Sequence, residues 1–188
     1  MVKNDIKKFG IYIIPLIIGI ITFVTIYGFV PLDVSNINWI VAGYDENDIV
    51  QHYAGWLAFR NSDWAWPLGL AKDMAAGEGT IISFTDSIPI VAIIFKLFRN
   101  VLPRSFQYFG IYTIICYVLQ SVASFKIIYY KTKNTFFSSV GTILFSFAPI
   151  FMERAFRHTA LGSQWLILFS ISLYKIFTLF NSSFDVSF

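Results

Sequence analysis

Four apolar runs limit what this chain can become. Ile11–Val30, Ser105–Phe125 and Thr135–Met152 contain no charged residue, and Leu161–Phe180 contains only Lys175. Each is close to the ~20 residues an α-helix needs to cross the hydrocarbon core of a bilayer. A helix also satisfies its own backbone polar groups, which lipid cannot do. Composition points the same way. Of the 188 residues 56% are hydrophobic and 13% charged, and the mean hydropathy is +0.65. Soluble domains average about 45–50% apolar and about 25% charged. The expected fold is therefore an all-α membrane protein, a single membrane domain over residues 1–188. It has about four transmembrane helices and two juxtamembrane helices in a large first outer loop.

The charges orient these runs. Lys3, Lys7 and Lys8 precede the first run, which puts the N-terminus in the cytoplasm by the positive-inside rule. A signal peptide is the competing reading of the first run. Its apolar region is usually about 7–15 residues long with a small-residue cleavage site, whereas this run is longer and passes into Pro31, Leu32 and Asp33. Residues 31–105 then form the first outer loop. Between Asp33 and Asp86 eight acids face only Arg60 and Lys72. With Lys131 and Lys133 cytoplasmic, the second run passes inward, the third outward, and residues 153–163 form a second outer loop. If Ile88–Phe98 spans as well, everything after it inverts. That run is short and contains Lys96, which suits an interfacial or re-entrant helix. The localisation expected is a cytoplasmic membrane, with multiple passes.

The outer loop is too polar for lipid and carries most of the acids. Glu46–Arg60 has helical periodicity, with Ile49, Tyr53, Trp56, Leu57 and Arg60 on one face and Asp45, Asp48 and His52 on another. A helix with Trp and Tyr on its apolar side is expected to lie flat on the membrane surface. Asp48 and His52 are four apart and point the same way. A carboxylate oriented at the membrane–water boundary is what is needed to take a proton from a hydroxyl. The structural alternatives are an N-cap at Asp45 and a favourable first-turn acid at Asp48, and for His52 a hydrogen-bonded interfacial role. Asp86 stands where the loop re-enters an apolar run, a default functional position for an ionisable group; helix capping is its alternative. Glu153, Arg154, Arg157 and His158 open the second outer loop, where the guanidiniums can hold a phosphate or anchor to headgroups.

Several functions are excluded or unsupported. The basic residues form no aromatic-interleaved patch, which argues against nucleic acid. The single cysteine, Cys116, excludes an intrachain disulfide. No phosphate-cradling glycine loop or nucleophile elbow is present. A divalent cation such as Mg2+ or Mn2+ is conceivable on Asp48 and Asp86, but no ligand spacing fixes it.

The layout resembles the GT-C type of integral-membrane glycosyltransferases, which use polyprenyl-phosphate sugars. It is most similar to a bacterial domain-of-unknown-function branch marked by four short motifs. Here they are H-x-x-G-W at His52–Trp56, P-L-G at Pro67–Gly69, F-T-D-S-I-P at Phe84–Pro89 and F-Q-Y-F-G at Phe106–Gly110. The resemblance covers about residues 10 to 165. It implies Asp48 as catalytic base with His52 beside it, and Asp45, Asp86, Arg157 and His158 as substrate-binding residues towards the lipid phosphate. It also implies the bilayer, a polyprenyl-phosphate-linked sugar and a missing C-terminal part as partners, because such enzymes are several hundred residues long. The activity implied is transfer of a sugar to cell-envelope glycans or lipids, without a certain cofactor. The alternative class is a non-catalytic multi-pass protein, such as a transporter or assembly subunit; a third reading is a truncated chain without function.

Overall fold

The computed structural model describes residues 2–42 and 48–184, with side chains for residue 11, residues 13–42 and residues 48–174. The described residues are mostly helical. In chain order the helices are α1 (Val2–Tyr27), α2 (Asn38–Val41), α3 (Ile49–Asn61), α4 (Pro89–Leu97), α5 (Phe109–Thr132), α6 (Thr135–Ser146), α7 (Pro149–Arg157) and α8 (Trp165–Phe184). A small antiparallel hairpin, β1 (Leu70–Ala71) and β2 (Thr80–Ile81), pairs Leu70 with Ile81 and Ala71 with Thr80. The chain divides into two compact units, each discontinuous in sequence.

The first unit comprises residues 1–28, 114–152 and 163–188. It holds α1, α6, α8 and most of α5. Asn134 starts α6 by accepting from the Phe136 and Phe137 amides, at 2.9 and 3.2 Å, as an N-cap residue does. Within this unit the interior combines buried rings, Phe23, Tyr117, Phe125 and Phe151, with many small and polar groups. Thr22, Gln120, Ser121, Ser124, Ser138, Thr142 and Ser146 are all buried. Ser121 on α5 and Ser146 on α6 share a hydrogen bond of 2.9 Å. Gly19 lets α1 approach the α5 backbone at Val118, where a Cβ would collide with it. Large apolar side chains such as Ile17, Ile21, Phe136, Leu144 and Ile167 point outwards.

The span expectations are met in part. α5 is long and apolar enough to cross a membrane. The third apolar run is not one straight helix: it breaks into α6 and α7, which are bent by 46° and reach the length of a span only together. Pro149 explains the break, since it lacks the amide that a continuing helix would need and fits instead at the start of a new one. The apolar parts of the first and fourth runs, Ile13–Tyr27 and Thr159–Tyr174, are shorter.

The second unit comprises residues 29–113 and 153–162. Its core is aromatic: Trp56, Phe59, Phe106, Tyr108 and Phe109 are buried together with Ile40, Ile49, Tyr53, Ile82 and Ile88. The flat interfacial helix expected at Glu46–Arg60 is replaced by a core helix. Trp56 is 0% and Tyr53 5% exposed, because α3 is packed from several sides by α2, α4 and the 82–85 turn. Its C-terminal end is pinned by Arg60. That guanidinium donates to the carbonyls of Pro103 and Arg104 through Nη1 (2.6 and 3.3 Å) and of Arg99 and Leu102 through Nη2 (3.0 and 2.8 Å). Lys96, expected to interrupt an apolar helix, is also buried. Its Nζ sits 3.9 Å over the Phe59 ring and 4.7 Å over Trp64, and donates to the Asp63 carbonyl at 3.3 Å. The rings supply part of what water would otherwise provide. Even so, burial, and then the charge of Arg99, push its pKa down to about 8, while Asp63 and Asp73 oppose the shift.

Candidate functional site

The four short motifs meet around α3. Trp56 donates its indole N–H to the Phe106 carbonyl at 3.0 Å. Gly55 lies against Thr85, so closely that any Cβ would collide with the threonine side chain. The Ile82 amide bonds to the Gly69 carbonyl at 2.9 Å. Gly110 passes the Pro31 carbonyl with no room for a Cβ. Gln107, fully buried, bridges this corner by donating to the carbonyls of Pro31 and Asp33 at 2.8 and 2.9 Å. The motifs are thus one packed frame rather than separate signals.

That frame delivers Asp86 to His52. Ser87 donates to the His52 carbonyl at 2.6 Å, lies 2.7 Å from the Thr85 hydroxyl, and has its own carbonyl bonded by the Tyr108 hydroxyl. Asp86 does not cap α4, as one reading of the sequence had it. It adopts a left-handed backbone, φ 54°, and so does Ile88, φ 51°. Such a conformation is rare for a non-glycine residue and an outlier for a β-branched one, and costs on the order of 1–3 kcal/mol. The neighbouring hydrogen bonds hold it in place. The result is a carboxylate turned towards α3 and 3.5 Å from His52 Nε2.

The ring of His52 is held at its other nitrogen too. Nδ1 lies 3.0 Å from Thr159 Oγ1, a buried hydroxyl in the short 3-10 turn Thr159–Gly162. Next to it, His158 Nδ1 lies 3.8 Å from Asp48 Oδ2, and both of these side chains are about half exposed. Asp48 occupies the N-cap position of α3 without making a side-chain cap bond. Its carboxylate is therefore open to the site. Two acid–histidine pairs result, an inner His52–Asp86 pair and an outer Asp48–His158 pair.

The inner pair is electrostatically unusual. Burial pushes the His52 pKa down to about 4, with His158 adding to the shift and Asp48 opposing it. Burial raises the Asp86 pKa and Asp48 adds to this; His158 and a hydrogen bond from the Ala160 amide oppose it. Both members of the inner pair are thus driven towards their uncharged forms. Their 3.5 Å separation is also longer than the roughly 2.7–2.9 Å of a charge-assisted hydrogen bond. His52 and Asp86 thus form an inner pair of proton-exchanging groups, and the Asp48 carboxylate beside them is about half exposed.

The structure thus brings together Asp48, His52, Asp86 and His158. Arg157 points elsewhere in part, forming an ion pair with Glu153 one turn back on the exposed side of α7. Asp45 lies outside the described residues. Thr159, Ser87 and Tyr108 were not singled out from the sequence. Only the adjacency of Thr159 to His158 could have drawn notice to it. Among the described residues no three His, Cys, Asp or Glu side chains are placed to hold a metal ion. The described donors therefore do not by themselves form a protein-only cage for Mg2+ or Mn2+.

Residues 16–178 match the family described as Domain of unknown function (DUF6311). No curated protein and no solved structure matches the chain.

Proposed function

The chain belongs to the DUF6311 family, and from the site just described we propose that it is the catalytic part of a membrane glycosyltransferase that uses a polyprenyl-phosphate-linked sugar. The observation that carries this reading is the convergence of Asp48 and Asp86 with two histidines from three separate segments. Phe84 and Leu161, close in sequence to Asp86 and His158, are strongly exposed apolar side chains. They suit a site at the edge of a bilayer. The unit rich in outward-facing apolar side chains is the membrane anchor. In this proposal α1, α5, the α6–α7 pair and α8 cross a bacterial cytoplasmic membrane, with the N-terminus inside.

Asp48 takes the proton of an acceptor hydroxyl. The hydroxyl oxygen forms a bond to the anomeric carbon with inversion, and the bond from that carbon to the phosphate oxygen breaks. The electron pair leaves with the polyprenyl phosphate. In this reading the basic side chains His158 and Arg157 offset its charge, the kind of electrostatic help that weighs most in such a step. Asp86 and His52 orient the hydroxyl towards Asp48. The acceptor is a cell-envelope glycan or lipid.

The test is sugar transfer from a radiolabelled polyprenyl-phosphate donor in membranes containing the chain. Asp48→Asn is expected to lower transfer by about 10²–10⁴, the usual contribution of a general base, with donor retention unchanged. Wild-type rates in Asp48→Asn would remove the base assignment. Solute uptake into vesicles that depends on the same four residues would instead identify a transporter.

A further inference from the structure

At the far end of α3 from His52 lies a second polar feature. The two are eight residues apart, about 12 Å along a helix. A cavity of about 220 Å³ is lined by Arg60, Asn61, Arg99 and Asn100. Every lining residue is a cation or an amide. Neither guanidinium has a carboxylate partner among the described residues. Arg60 is locked by its four carbonyl acceptors and contributes a fixed charge. Arg99 is held through one terminal nitrogen, whose hydrogens go to the Ser62 and Arg60 carbonyls at 2.9 and 3.4 Å. Among the described residues its other terminal nitrogen and its Nε make no hydrogen bond, and neither do the Asn61 and Asn100 amides. The charge of Lys96 lies close enough for Arg99 to depress its pKa, while the acids felt at this corner, Asp63 and Asp73, act on Lys96.

We propose that this cleft binds a phosphate group, with the Arg99 fork and the Asn61 and Asn100 amides as donors and Arg60 as a fixed counter-charge. A planar guanidinium with free parallel N–H groups is the side chain best matched to phosphate oxygens. The surroundings point to a membrane lipid as the carrier of that phosphate. Leu97, Phe98 and Val101, immediately beside Arg99 and Asn100 in sequence, are exposed apolar side chains. They would enter the acyl layer while the cleft stays at headgroup depth. The site is independent of the transferase reading, which uses the opposite end of α3.

The test uses the full chain in a phosphate-free, uncharged detergent, with three variants. Arg99→Gln removes the fork, and Asn61→Asp and Asn100→Asp replace an amide donor by a negative charge in the cleft. Native mass spectrometry reads retention of phosphatidylglycerol against a phosphate-free diglucosyl diacylglycerol. In parallel, the thermal midpoint is followed during titration with inorganic phosphate. The expected result is selective phosphatidylglycerol retention, weakened about tenfold or more by each variant, the effect of losing one charge-assisted hydrogen bond. Unchanged midpoints of the unliganded Asp variants would show that folding is intact. Protection by inorganic phosphate with the same variant sensitivity would make free phosphate the ligand and keep the site. Equal retention of both lipids with no phosphate effect, or binding that ignores all three variants, would overturn it.

Discussion

In the unit formed by residues 1–28, 114–152 and 163–188, buried serines and threonines share the interior with Phe23, Tyr117, Phe125 and Phe151, while many isoleucines, leucines and other phenylalanines are outside. In the unit formed by residues 29–113 and 153–162, tryptophan, tyrosine and phenylalanine are inside. The apolar exterior of the first suits lipid, where apolar outer surface costs nothing and small residues allow close backbone approach. The second is the arrangement water enforces, because burying aromatic rings removes large apolar areas from solvent. The difference also explains where chemistry can reside. Among the described residues, the paired acids and histidines lie in the second unit.

The sharpest way to break this comparison is to remove the pin of the aromatic unit. Arg60→Ala leaves four carbonyls without their charged donor, and is expected to cost about 3 kcal/mol or more. It would be read as loss of protease resistance in residues 29–113. A slightly smaller effect is expected in the other unit. Leu144, 69% exposed on α6, should cost about 2.5–3.5 kcal/mol when changed to lysine if lipid surrounds it. The exposed Glu78 should accept lysine within about 0.5 kcal/mol. Equal stability of these two variants in bilayer nanodiscs would remove the lipid-facing assignment. Gly55→Ala should cost about 1–3 kcal/mol through overpacking against Thr85. It should also slow transfer more than its stability loss explains, because Thr85 is next to Asp86.

The smallest effect at neutral pH, growing with acid, comes from His52. Its folded pKa of about 4 lies below the ordinary 6.5, so the unfolded chain takes up the proton first. Its contribution is fully present above pH 6.5 and is lost as pH falls from 6.5 towards 4. The raised pKa of Asp86 acts in the opposite sense: it favours the folded state at low pH, and that contribution is lost as pH rises through its folded value. Denaturation midpoints measured across this range should fall with acid in the wild type and flatten in His52→Gln. An unchanged slope in the variant would place the titration elsewhere.

Much of the helical layout was legible. α4 starts at Pro89, where proline is tolerated, within a residue of the expected start, and α3 begins within a few residues of where the periodicity placed it. α5 starts later than its apolar run because Phe106, Gln107 and Tyr108 are used by the aromatic core. It continues past Lys126 to Thr132 because a lysine on a helix surface does not end a helix. The hairpin at Leu70 and Ile81 was not legible, since two-residue strands leave no alternation to read.

The candidate site divides in the same way. The sequence by itself determined which residue types were available, that Asp48 and His52 share a face of one helix, and that Asp86 precedes a proline-initiated turn into apolar chain. Tertiary structure decided the pairing: His52 faces Asp86 and Thr159, and Asp48 faces His158. Spacing along a helix fixes direction only to within that helix. Partners far apart in the chain are chosen by close packing, here by the Gly55–Thr85 approach and the Ser87 and Tyr108 hydroxyls, and it is burial that turns His52 and Asp86 towards their neutral forms.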